Sequence, residues 1–146
     1  MTISFTNIWK DKILDQLSSI ITDEFGNQIN VYIGDVYMHN GNCSLRLFGT
    51  SQALTDNMTN SFTNSYAVDI VYYILAPNYN DTIIDKFYRD ISRIEQLINN
   101  NIIIADGWHD GRIDGIEINS FTENEEGVDG LFSATINFVC SYTKVF

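Results

Sequence analysis

The sequence predicts an α+β domain: a mixed, mostly antiparallel sheet with two amphipathic helices packed on it. Three observations carry this expectation. Two segments place apolar residues at helical three- and four-residue steps. Much of the rest alternates apolar with polar residues, the period of a strand. The elements run in the order helix, hairpin, long strand, helix, short strand, hairpin, and 146 residues make one domain, 1–146, with its own core.

The first helix covers about residues 6–23, where Trp9, Ile13, Leu17, Ile20 and Ile21 recur between Lys10, Asp11, Lys12, Asp15 and Gln16. Gly26-Asn27 ends it. Ile29, Val31 and Ile33 then alternate with polar neighbours, Asn40-Gly41-Asn42 reads as a turn, and Leu45, Leu47 and Phe48 follow, so residues 28–49 read as a hairpin. Thr50–Asn64 is rich in Thr, Ser and Asn, whose side chains compete with the backbone ladder, and it reads as a long loop. Tyr66–Ala76 is β-branched and aromatic, with apolar residues on both faces, which predicts a central strand. Pro77 stops it. Ile84, Phe87, Ile91, Ile94 and Ile98 define a second helix, about 81–100. Ile102–Ile104 reads as a short buried strand and Ile113–Phe121 as another. In Leu131–Tyr142 the residues Phe132, Ala134, Ile136, Phe138, Cys140 and Tyr142 share one face, which predicts a strand buried on one side and wet on the other. The expected core comprises Trp9, Ile13, Leu17, Ile70, Ile84, Phe87, Ile91, Ile94, Phe132, Ile136 and Phe138.

Charge narrows the function. Eight Lys and Arg stand against nineteen Asp and Glu, a net charge of −11, which repels nucleic acid at long range. Residues 106–129 hold eight of the acids (Asp106, Asp110, Asp114, Glu117, Glu123, Glu125, Glu126 and Asp129) and one base, Arg112. That segment is either a solvated hairpin edge or a surface that repels a polyanion or meets a basic partner. Lys86, Arg89 and Arg93 put three bases on the second helix, to pair with Asp81, Asp85 and Asp90 or to meet acids of a neighbouring subunit. No basic leader with an apolar stretch opens the chain, and its longest apolar run, Ile70–Ala76, is far short of the roughly 20 residues of a membrane span. A cytoplasmic site of synthesis is expected.

Specific chemistry finds little support. Asp106, Asp110 and Asp114, with His109 among them, lack the alternating spacing of a calcium loop and read better as a solvated acidic turn than as a metal site. His39 and Cys43 flank the predicted turn, but a thiol–imidazole pair there has only proximity in its favour. A Ser–His–Asp relay has no nucleophile elbow, and neither a dinucleotide nor a P-loop motif is present. Cys43 and Cys140 sit in apolar strand-like runs and read as small buried hydrophobes. The expectation is no enzyme, no cofactor and no metal.

The layout resembles the tail terminator proteins of long-tailed bacteriophages, also called tail-completion or head-to-tail joining proteins. An amphipathic helix (Ile8 to Ile21) precedes a hairpin. A long polar loop, Thr50–Asn64, leads into the strongly apolar strand AVDIVYYIL, a helix follows directly over Asp81–Asn100, and a final hairpin ends with SATINFVCSYT. The resemblance is one of element order over nearly the whole chain. It implies a structural virion protein of the phage neck, made in the host cytoplasm, that forms a homo-hexameric ring. Such a ring caps the tail tube protein, ends tail growth and presents a surface to the head-completion or connector protein. DNA passes its lumen without specific binding, and no membrane is involved. On that reading the eight acids face a partner or the lumen, and Lys86, Arg89 and Arg93 stand at a subunit interface. The alternatives are another neck adaptor, a baseplate subunit, or a small acidic binding protein for a basic partner.

Overall fold

A computed structural model describes residues 2–34, 43–76, 81–122 and 130–145. The chain is α+β, with a five-stranded mixed sheet and two helices. Residues Trp9–Leu14 form a π-helical turn that runs into helix α1, Asp15–Phe25. Asn7 starts this helix: its side-chain oxygen accepts the Lys10 N–H at 3.2 Å and its carbonyl accepts the Asp11 N–H at 2.8 Å. The wide turn stacks residues five apart, so the Lys10 ammonium meets the Asp15 carboxylate at 2.9 Å. Gly26 ends α1 at φ 60°, a conformation in which a side chain is strained. Strand β1 is Asn30–Ile33, β2 Cys43–Met58, β3 Ser61–Ala76, helix α2 Asp81–Asn99, β4 His109–Thr122 and β5 Gly130–Val145. The strand order is β1-β2-β3-β5-β4, which puts β3 at the centre, as its two apolar faces predict.

Both helices pack on one face of the sheet. The face is built by alternation: Tyr66, Val68, Ile70, Tyr72 and Ile74 of β3 stand opposite Cys140, Phe138, Ile136, Ala134 and Phe132 of β5. Ile13, Leu17, Ile21 and Phe25 of the first helix, with Phe87, Ile91, Ile94 and Ile98 of α2, cover this face and form one core with it. Of the expected core, Trp9 and Ile84 are half-buried, and Phe132 lies outside the residues whose side chains are described. The helices meet where the Arg93 guanidinium lies over the Phe25 ring at 4.4 Å and bonds the Glu24 carboxylate at 2.8 Å.

Three expectations are corrected. Residues 28–49 are not a hairpin: β1 pairs parallel with β2, Asn30 beside Ser44 and Ile33 beside Leu47. Apolar alternation encodes which face of a strand is buried and carries no information on direction. The turn signal Asn40-Gly41-Asn42, with His39, lies outside the described residues. Thr50–Asn64 is not a loop either. It forms the outer halves of β2 and β3, joined across Thr59-Asn60, with Met58 opposite Ser61. Threonine is a good strand former, and β5 pairs with β3 out to Val145 opposite Ser61, which supports the hairpin along its length. Ile102–Ile104, finally, is not a strand but part of the α2–β4 connection, with Ile103 73% exposed. Three isoleucines read as buried from hydrophobicity alone, yet the backbone here bonds Trp108 and Gly111: Ile104 N–H to the Trp108 carbonyl and Gly111 N–H to the Ile102 carbonyl.

Candidate functional site

Four of the eight predicted acids lie among the described residues, and the structure disperses them. Asp106 lies in the α2–β4 connection at φ 63° and pairs with Lys12 of the first helix at 2.5 Å. Asp110, at φ 54°, bonds the neighbouring His109 ring at 3.1 Å. Asp114 pairs with Arg112 at 3.1 Å. Glu117 stands on β4 opposite Thr135. Glu123, Glu125, Glu126 and Asp129 lie outside the described residues. Among the described residues no three His, Cys, Asp or Glu side chains are grouped to hold a metal ion.

The three bases of α2 each have an acid within the same chain. Lys86 bonds Asp90 at 2.7 Å, Arg89 bonds Asp85 at 2.6 Å, and Arg93 reaches Glu24 on α1 rather than a partner on its own helix. Asp90 is buried and also accepts a short 2.5 Å bond from the Tyr72 hydroxyl of β3. Burial and that bond push the Tyr72 phenol far above its ordinary range, so it stays a donor.

His109 joins three strands. Its Nε2 bonds Thr143 Oγ1 on β5 at 2.9 Å, and Thr143 Oγ1 bonds Thr63 Oγ1 on β3 at 2.7 Å. A hydroxyl, an imidazole and the Asp110 carboxylate thus stand in line, the order of a hydrolytic relay. The second hydroxyl makes the arrangement a cross-strand tie near the tip of the β2–β3 hairpin, where Thr63 stands two residues beyond Ser61. Beside it an open groove of about 300 Å³ is lined by Ile102, Asp110, Gly111, Arg112 and Ser141.

A larger open groove, about 440 Å³, lies at the opposite side of the sheet between Trp9, Leu14 and residues Gly49 to Gln52 of β2. Trp9 forms its wall. The indole N–H donates to the Gln52 side chain at 2.9 Å, the ring packs edge-on to Tyr66 at 4.9 Å, and Gly49 admits it: a Cβ there would lie 2.5 Å from the ring. Above this groove the sheet carries almost no charge. From Leu47 to Val68 the only charged residue is Asp56, and from Val139 to Val145 the only one is Lys144. Leu54, Met58 and Val145 are exposed there, and so are Ile3 and Phe5 of the segment before the helix. The signal for Leu54 and Met58 in the sequence is a nearly uncharged stretch in an otherwise acidic chain.

On the sheet face away from the helices, Asp69 stands opposite Phe48 and Asn137. Partial burial raises its carboxyl above the ordinary value of 3.8. A raised carboxyl costs stability where it is ionised in both folded and unfolded chains, and that cost disappears once the pH falls below both pKa values. Asp69→Asn is therefore expected to raise the thermal midpoint at pH 7 and to change it little near pH 3. A lower midpoint at pH 7 would show that the carboxylate makes a favourable contact.

Cys43 and Cys140 are both free and buried, and burial pushes the Cys140 thiol up to about 12. No described helix is long and apolar enough to cross a membrane. Comparison with protein-family models and with curated protein sequences gives no match for this chain.

Proposed function

We propose that this protein is a structural subunit of a phage neck, a homo-oligomeric ring that caps the tail tube, ends its growth and joins the tail to the head connector. The observation that carries the reading is the segregation of charge along the chain. The outer hairpin, Leu47–Val68, holds one charged residue, whereas residues 106–129 hold eight acids and one base. A subunit that stacks on other protein layers needs a neutral contact surface, because chains of net charge −11 repel one another wherever acids face acids. A ring that passes duplex DNA needs a lumen that does not bind it, and repeated acids supply a negative potential felt over about 10 Å at 0.1 M salt. The α+β architecture, with both helices on one face of the sheet, leaves the other face and the outer hairpin available for such contacts.

Electron microscopy of the purified protein mixed with tail tubes tests it. The expected result is a ring on one end of the tube, with a free-ring mass near 100 kDa for six copies of 16.7 kDa. Tubes that never acquire a cap would overturn it. For the acids, replacing Glu123, Glu125 and Glu126 by Gln is expected to leave the melting curve unchanged while lowering the yield of joined, DNA-delivering virions. Normal virions would return the segment to a solvated hairpin edge.

A further inference from the structure

We infer that the N-terminal segment Thr2–Asn7 of one copy adds as a strand to the free edge of β2, Ser51–Met58, in a second copy. The edge comes first. β1 covers β2 only from Ser44 to Leu47, so among the described residues the outer half of β2 has a neighbour on one side alone, β3. A strand edge of eight residues presents a row of N–H and C=O groups ready to pair with another chain. Natural edges are usually blunted by lysine, proline, inward charge or bulges; Ser51–Met58 holds one charge, Asp56, neither lysine nor proline, and one register irregularity, between Leu54 and Asp56.

The occupant is the chain's own first segment. Thr-Ile-Ser-Phe-Thr-Asn alternates polar with apolar residues, is uncharged, and lies outside the helix with all six residues exposed. Ile3 and Phe5 are each 76% exposed. In an extended strand these two side chains share a face, beside each other and available to one groove. The groove of about 440 Å³ against Trp9 opens directly at the root of the β2 edge and has room for an aromatic side chain. Folding back within the same chain is disfavoured, because Asn7 is held by its bonds to the Lys10 and Asp11 N–H groups.

Electrostatics selects a second copy. Two chains of net charge −11 can approach only where both are neutral, and segment and edge together carry a single charge. The contact is heterologous: segment and edge are different surfaces, so the donor of one segment still offers its own edge to a third copy, and the chain of contacts closes as a ring when the rotation allows. The inference rests on the self-association in the proposed function and on nothing else in it.

Two measurements on the full chain test it. In sedimentation velocity the wild type is expected to self-associate, and the Ile3→Asp/Phe5→Asp variant to do so at least about tenfold more weakly with an unchanged melting curve. In a mixture of Ser4→Cys and Ala53→Cys single variants, mild oxidation is expected to give a mixed disulfide dimer, since both natural cysteines are buried. Association unaffected by the aspartates would overturn the inference and leave the ring standing. Closed dimers that depend on Ile3 and Phe5 would leave the inference standing and remove the ring. A wild type that stays monomeric at all concentrations and forms no mixed disulfide overturns the inference as well.

Discussion

Replacing Trp108 by Ala is expected to destabilise the protein by about 3–5 kcal/mol, the range for removing a large aromatic from a core. Trp108 has no solvent exposure. It packs edge-on against Phe138 at 5.1 Å, and its indole N–H donates to the Asn101 carbonyl at 3.0 Å. The loss falls on more than one side chain. Ile104 N–H bonds the Trp108 carbonyl, and Gly111 approaches the indole so closely that a Cβ would lie 2.5 Å from its Nε1. The tryptophan therefore anchors both the end of α2 and the start of β4. For a chain of this size the cost corresponds to a fall in melting temperature of roughly 10–16 °C. Urea unfolding followed by circular dichroism measures it. Trp108→Phe keeps most of the volume and is expected to lose about half as much. A cost below about 1 kcal/mol for Trp108→Ala would show that the connection is not held by this residue.

The second large effect is expected at Asp90. It sits on α2, 5% exposed, and accepts bonds from the Tyr72 hydroxyl and the Lys86 ammonium. In Asp90→Ala the Tyr72 hydroxyl keeps only the Cys43 sulfur, at 3.8 Å, a weak acceptor. An orphaned buried donor costs about 1–3 kcal/mol. Lys86 adds little to this, because its half-exposed ammonium returns to water. The double variant Tyr72→Phe/Asp90→Ala removes both partners and is expected to recover part of the loss, so the two substitutions are not additive. Additive costs would mean that the bond contributes nothing specific. The sign of the alkaline response follows from the raised Tyr72 phenol. The unfolded chain ionises this tyrosine near its ordinary 10.0 while the folded chain does not, so wild-type stability is present below that pH and declines above it. Tyr72→Phe is expected to decline less over the same range.

Trp108 also shows where sequence reasoning stops. In the string Ala-Asp-Gly-Trp-His-Asp-Gly the surrounding acids and glycines outweigh one tryptophan, and the segment reads as a solvated turn. Its burial depends on Phe138, thirty residues further on, and on the Asn101 carbonyl at the end of α2. The amphipathic faces of both helices and the buried face of β5 were, by contrast, legible from spacing alone. Their periods of 3.6 and 2 are local properties that any one-sided burial must display.

Local composition determined which segments have a face to bury, the central place of β3, and the uncharged stretch within an acidic chain. Only the tertiary structure decided direction, partnership and extent. β1 runs parallel to β2 because a partner strand, not an alternation pattern, selects the direction of pairing. Thr50–Asn64 became strand because β5 continues alongside β3 to Val145 and makes a ladder worth completing. Arg93 paired with Glu24 because packing α1 against α2 brought together residues 69 positions apart. Period and charge are written residue by residue, while strand pairing and ion pairs depend on which distant segment arrives alongside.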